Sequence, residues 1–406
     1  MKDRITIRNL FQLGILIEIL FGMKCWFTWY MSPVVQLLIF SIISLVSYQY
    51  VQVWKVKLYN SPAFLLLMLI LFLVEINFVF NIGSLAMYVA KYYPLWVLLS
   101  DRDNINLHVS VITKNLSIIL LPGLILHVLM LFVGIIPVNP IIHPRMEVYR
   151  FYNYIVLLKG SYIYEADGIR FQSIALESGY LGTFLAFWMY VLRFNLKKKA
   201  NQIILVLLIF SLSLAGYVLA FIGYLFYVLS QGKKVKQILM FCILFITTYL
   251  GGIYYNNGHN YLNERIIERL QPDDEKIIAG NNRVGDATKD YFDYFTKTDK
   301  LMLGIGASRI EKLNGTKDIE SDFQNFIGGA GYMIYIIRYG IISVLFVAIF
   351  YLSFIFFSPI GNRFYMLGFF VLVFIAFLQA SYPLSQSWLV PYLTTFCLNR
   401  KKEICP

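Results

Sequence analysis

The sequence predicts an all-α polytopic integral membrane protein, with about 12 transmembrane helices and two long periplasmic loops, the second partly helical. Three observations carry that expectation. The chain is 59% hydrophobic and 14% charged, whereas soluble domains run nearer half apolar and a quarter charged. Its apolar residues gather into runs of the length that a hydrocarbon core of roughly 30 Å requires. The net charge of +12 is spread over short basic clusters between those runs, which is the positive-inside pattern and not a nucleic-acid-binding face. The 30 Tyr and 34 Phe suit interfacial belts and lipid-facing surfaces.

The spans follow in order. MKDRITIRN and then LFQLGILIEILFG open like a signal peptide, but Met23, Lys24, Cys25 and Trp26 stand where small residues would mark cleavage. An uncleaved first span is therefore expected near residues 10–28. Further spans fall near 33–52, 62–80, 84–100, 115–136 and 173–193, two short ones within 201–230, and the rest near 237–254, 331–357, 365–380 and 386–398. Basic clusters at Lys2/Arg4/Arg8, Lys55/Lys57, Arg102/Lys114, Arg193/Lys197/Lys198/Lys199, Lys233/Lys234/Lys236, Arg363 and Arg400/Lys401/Lys402 mark the cytoplasmic side and place both termini there.

Residues 201–230 test this scheme, because a single apolar run lies between two clusters that share a side. One crossing breaks the rule. Two short helices meeting near Ser211, Ser213 and Gly216 satisfy it, since hydroxyls and a glycine permit a tight break buried in protein. The alternative is one long tilted helix.

The whole chain, 1–406, is expected as one membrane domain with two long outer segments, 138–172 and 255–329. The second is the largest polar region. Helical patterning is plausible over 261–270 and 286–295, and Gly304, Gly306, Asn314 and Gly315 mark turns. Cys25, Cys242, Cys397 and Cys405 have no CxxC spacing, no pair of His has metal-ligand spacing, and no GxxxxGK[ST] exists. Neither a metal nor a cofactor is expected. The sequons at Asn115 and Asn314 are given no role.

Candidate chemistry begins with Arg170 in EADGIRFQSIALESGYLGTF, where the first outer loop re-enters the membrane. Glu177 follows two helical turns on, so both side chains are expected to point the same way. A guanidinium at that depth can clamp a pyrophosphate, and the carboxylate can orient or deprotonate a sugar hydroxyl. The plainer reading is that Arg170 snorkels and Glu177 pairs with a neighbour. Arg283 and Arg309 in the large outer loop are further phosphate-binding candidates, weighed against ordinary surface solvation. Asp322, just before the next span, is a candidate acid or base. His259 is the lone histidine of that loop, and Glu18, Glu75 and His127 are intramembrane polar groups that can pair structurally.

Taken in order, RFQSIALESGYLG, a basic turn, the break SLSLAG, and a large outer loop with NNR, LGIG and a closing GYMIYIIRYGIISVLF resemble the Wzy-type O-antigen and capsule polymerases, within the superfamily that includes the O-antigen ligases. The resemblance covers roughly residues 115–355. Arg170, Glu177 and Gly182 match the family's first motif, with Ser178 in place of its usual Pro, and the loop arginine corresponds to Arg283. Ligases carry a His before the following span, where Ser321, Asp322, Phe323, Gln324 and Asn325 stand here.

The resemblance implies a bacterial inner-membrane glycosyltransferase that moves a growing glycan from undecaprenyl pyrophosphate to another lipid-linked repeat unit, without a metal or cofactor. Arg170, Arg283 and Arg309 would hold the substrate, and Glu177 or Asp322 would serve as the base. The implied partners are the undecaprenyl-pyrophosphate-linked oligosaccharide, membrane lipids and a protein that sets chain length. The rivals are a ligase of the same superfamily and a flippase or transporter of lipid-linked oligosaccharides.

Overall fold

In the computed structural model the described residues are 2–75, 82–135, 138–144, 146–160, 170–231, 247, 250–251, 253–259, 263, 292–305, 331–380 and 382–400. The expected span at 237–254 lies almost wholly outside them, as does the helix expected at 261–270. The chain falls into two compact units. One comprises Met1–Tyr224, Ile349–Ala376 and Pro383–Pro406, the other Leu225–Ala348 and Phe377–Tyr382.

The architecture is helical. Among the described residues the longer α-helices are, in chain order, α1 (Lys2–Gly22), α2 (Pro33–Trp54), α3 (Pro62–Glu75), α4 (Ile82–Ser100), α5 (Ile105–Val133), α6 (Ser178–Val191), α7 (Lys199–Phe210), α8 (Leu214–Ser230), α9 (Gly331–Phe356), α10 (Ile360–Gln379) and α11 (Gln386–Arg400). Among the described residues, six stretches are long and apolar enough to cross a membrane: Arg4–Gly22 and helices α2, α4, α5, α9 and α10. Their outward side chains are themselves apolar, as at Leu45, Phe132 and Ile360. A surface of that kind belongs in lipid and not in water. The protein is membrane-embedded.

Local chemistry sets the helix ends. Ser32 caps α2 by accepting a hydrogen bond from the Val35 amide at 3.3 Å, Pro33 opens the helix, and Lys55 closes it in the left-handed region at φ 52°. Helix α5 starts at Ile105, ten residues before the expected span. Lys114 marks no boundary there, because its exposed, flexible stem lets the ammonium leave an otherwise apolar helix.

In the first unit α6 is buried on nearly every side from Leu181 to Val191, the pattern of a helix ringed by others. Trp188 donates to Thr113 Oγ1 at 2.9 Å, and Phe187 packs edge-on against Phe369 and Trp388. Tyr190 and Tyr365 stack at 4.3 Å and each donates to the other's carbonyl oxygen.

The break between α7 and α8 falls at Ser211, Leu212 and Ser213. Ser211 donates to Leu208 O at 2.7 Å, and the Gly216 amide donates to Ser213 Oγ at 3.2 Å. Gly182 of α6 fits against both serines, and a Cβ on Gly216 would meet the Gly182 backbone at 2.9 Å.

The segment expected as the first long loop holds a feature absent from the sequence reading. It folds into an antiparallel three-stranded meander, β1 (Pro140–His143), β2 (Met146–Asn153) and β3 (Leu158–Gly160), in the order β1-β2-β3. Phe151 and Leu158 bury with Leu176 beneath Trp26, Trp29 and Tyr180. This docks the sheet on the end of the helices where α1 finishes and α6 begins.

In the second unit α9 is not continuous. Gly340 sits at φ 75° and ψ 170°, outside helical space. Residues 302–305 approach the break closely, with the Ile305 amide donating to Ile337 O at 2.9 Å and the Ile342 amide donating to Met302 O at 3.2 Å. Residues 292–295 are helical, the rest of the helix expected at 286–295 lies outside the described residues, and Phe295 packs with Ile337.

Candidate functional site

Residues 170–177 form an irregular segment that enters the helical part of the first unit beside the sheet. It is pinned from four directions. The Phe171 amide donates to Phe210 O at 3.1 Å, the Leu158 amide to Ser173 O at 2.7 Å, and the Trp26 amide to Ile174 O at 3.0 Å. On the fourth side Gly123 of α5 leaves room for the Val156 carbonyl, which a Cβ would meet at 2.3 Å, and Ser173 Oγ donates to that same oxygen at 3.3 Å. The Phe171 ring meets His127 edge-on at 5.5 Å. His127 is thus a buried helical residue stacked behind the segment.

Arg170 and Glu177 stand at the two ends of this segment, both half-buried. The expectation that they share one face of a helix is corrected. Ser173 is left-handed at φ 52°, a turn runs from Gln172 to Ala175, and helix α6 starts only at Ser178. Four tertiary contacts outweigh the local helical preference. Glu177 is instead the N-cap residue of α6, extended at φ −143° and ψ 154°, and its carboxylate makes no capping bond. The carboxylate is therefore not consumed by the helix end, where Ser, Asp or Asn would ordinarily spend theirs.

Lys24 joins this end of the molecule. It is left-handed at φ 53°, and its ammonium lies 5.3 Å from the centroid of Tyr180, in the first turn of α6. Sequence reasoning passed over Lys24, although a signal was there: it is a basic residue at the end of the first span away from the Lys2/Arg4/Arg8 cluster. Lys159 in β3 is the second addition. Its residue is 2% exposed, and burial pulls the ammonium down to about 8. Arg283, Arg309 and Asp322 lie outside the described residues.

Two other polar groupings occur in the first unit. At the opposite end of the helices Gln12 donates to His108 Nδ1 at 3.0 Å, and His108 Nε2 donates to Asp101 at 2.8 Å, which fixes the imidazole tautomer. Tyr50 donates to the same carboxylate at 2.5 Å, and Asn104 donates to it at 3.0 Å. Burial pushes the Asp101 carboxyl up, but the hydrogen bonds from His108, Tyr50 and Asn104, with the attraction of His108, outweigh it and hold the group below the usual carboxylate range. Both His108 nitrogens are engaged and buried, so this cluster ties helices together and has no side open to substrate. Within the helices Lys91 pairs with Glu75 and also attracts Glu18, whose carboxylate is fully buried. Among the described residues neither oxygen of Glu18 accepts a hydrogen bond.

What the 170–177 end can do follows from its groups. A guanidinium binds phosphate oxygens two at a time, an ammonium adds a point charge, and a carboxylate can take a proton. Among the described residues, no three His, Cys, Asp or Glu side chains gather as metal ligands. No family model, no curated protein and no solved structure matches the chain.

Proposed function

We propose that the protein is a bacterial inner-membrane glycosyltransferase that polymerises lipid-linked glycan units. In this reading it crosses the bilayer about 12 times, both termini are cytoplasmic, and the sheet and the 170–177 segment face the periplasm. The observation that carries the proposal is an arginine and an uncapped carboxylate at the two ends of one rigidly pinned segment. The likeness to Wzy-type polymerases supplies the substrate class.

The chemistry is a single substitution at the anomeric carbon. The acceptor hydroxyl oxygen bonds to that carbon and loses its proton to the Glu177 carboxylate. The bond from the carbon to the pyrophosphate oxygen breaks, and its electron pair leaves on undecaprenyl pyrophosphate. Arg170 stabilises the charge that develops on the leaving group, which is where fixed donors contribute most. Arg283 and Arg309 are the remaining candidates for the phosphates, and Asp322 is the alternative base.

Purified protein supplied with lipid-linked repeat units is expected to lengthen them in detergent without nucleotide. Glu177→Gln is expected to slow elongation roughly 100-fold or more, the scale of a lost general base. Arg170→Ala is expected to cost about 10-fold to 100-fold, the worth of hydrogen bonds to a charged group. Full activity in both variants would remove the site.

A transport reading draws on one observation of its own, the ionisable groups Glu18, Lys91 and Glu75 within the helices, since ionisable groups at such depth often line a substrate path. Counterflow of lipid-linked oligosaccharide in liposomes, with no new glycosidic bond, would favour it.

A further inference from the structure

Arg338 in the second unit was not among the residues that the sequence singled out. It lies seven residues into α9, about 10 Å along the helix at 1.5 Å per residue, in a helix long and apolar enough to cross a membrane. Two residues later the helix breaks at Gly340. Irregular backbone at membrane depth persists only where protein or an aqueous cavity satisfies it. Here residues 302–305 do so, crossing α9 backbone to backbone.

Two glycines make that crossing possible. Gly340 has φ 75°, and a Cβ there would lie 2.1 Å from Met302 O. Gly304 has φ 73°, and a Cβ there would lie 2.4 Å from the Arg338 carbonyl oxygen. The crossing is finished with hydrogen bonds on both sides of the break, Ile305 to Ile337 O and Ile342 to Met302 O.

The backbone is therefore provided for, and the Nε of Arg338 is not. Arg338 is half-buried, and its Nε is shut off from solvent with no hydrogen-bond partner among the described residues. A guanidinium within a span is costly unless an anion meets it, and such residues mark sites by default. Neutral packing would be served better by Leu or Met at the same place.

We propose that Arg338 is an anion-binding residue that takes two phosphate oxygens of a prenyl diphosphate at the break in α9. The choice of a diphosphate rests on the function proposed above. The planar fork matches such a ligand, and a broken helix at a membrane protein's interior is a common setting for charged-ligand sites.

The test uses the full chain in phosphatidylcholine nanodiscs, with farnesyl diphosphate, inorganic pyrophosphate and phosphatidylglycerol as separate probes, reading thermal stability with and without each. Farnesyl diphosphate is expected to raise the melting temperature of the wild type. Arg338→Gln should weaken that response at least 10-fold in concentration, while the ligand-free protein is as stable as wild type or more so, because an uncompensated charge has been removed. Arg338→Lys should fall between, keeping the charge and losing the fork.

A ligand-free loss of stability in Arg338→Gln with an unchanged farnesyl diphosphate response would make Arg338 a structural ion-pair partner and overturn the proposal. A phosphatidylglycerol response that alone depends on Arg338 would also overturn it, assigning the residue to bulk lipid. A response to inorganic pyrophosphate equal to that of farnesyl diphosphate would remove the prenyl chain from the assignment. Should Arg338→Gln fail to fold, the Arg338→Lys response decides, and one equal to wild type counts against the proposal. Arg338-dependent binding with no glycan elongation would leave this site standing and remove the polymerase reading. Elongation that ignores Arg338 would do the reverse.

Discussion

Two apolar stretches among the described residues are interrupted, and the interruptions are sealed differently. Between α7 and α8 the break is closed by its own neighbours: Ser211 and Ser213 bond within a few residues, and Gly182 and Gly216 let α6 press against them. In α9 the break at Gly340 is closed from afar by residues 302–305, with an arginine left beside it. Every group named at the first break is neutral and satisfied. At the second the backbone is satisfied, and among the described residues the Nε of Arg338 is not. A sealed break reads as packing, and an open charge beside one reads as a place for a ligand.

The distinction can be broken by substitution. The largest expected effect is Gly340→Ala, which adds a Cβ in a left-handed conformation and drives it into Met302 O. A loss of about 3 kcal/mol or more is expected from backbone strain and collision together, measured as a fall in apparent melting temperature. A small effect would mean that residues 302–305 do not hold the break.

Next is the sealed network at Asp101, which serves as the reference for a charge that the protein itself compensates. Asp101→Asn should cost about 2 kcal/mol, the scale of hydrogen bonds to a charged group. The sign of its pH dependence is fixed. The folded carboxyl lies below its ordinary value, so its contribution is complete above an unfolded-state value of about 3.9 and is lost as pH falls through the lower folded value. Wild type should lose stability across that acid window, and Asp101→Asn should lose less. Identical acid profiles would show that this network is not what acid breaks.

The smallest effect is expected at the first break. Ser211→Ala removes two neutral hydrogen bonds, one to Leu208 O and a longer one from the Ser213 amide, and should cost about 1 kcal/mol, with no change in ligand response. A loss of ligand response there would blur the comparison, because a merely sealed break would then be acting on a ligand.

The two breaks also differ in what their sequences disclose. SLSLAG between two basic clusters can be read as a break without any structure, because hydroxyls, a small residue and charge parity all act locally. RYGII inside an apolar run cannot, since the left-handed turn at Gly340 is imposed by residues 302–305, distant along the chain. The same physics explains the correction at Arg170 and Glu177. Their spacing fits two helical turns, yet Trp26, Leu158 and Phe210 pull the segment between them into a turn. The sheet was legible in principle, since Val148, Tyr149, Phe151 and Tyr152 in β2 are strand-forming residues. Its polar flanks and short strands hid it within a loop. Apolar run length, by contrast, is a one-dimensional property, and it located the long helices to within a few residues at α2, α4 and α9.

The neighbours of α11 bear on how the chain is assembled. This last helix packs against α1, α4, α5 and α6. Ser385, just before it, donates to Gly22 O at 3.1 Å, and Cys397 donates to Leu99 O at 3.2 Å. Helix α1 is thus seated by a helix far later in the chain. Until residues 386–400 emerge, α1 and α6 lack the helix that covers them. Truncation within α11 should therefore cost far more than its 15 residues suggest, because it withdraws the piece against which the earliest part of the chain closes.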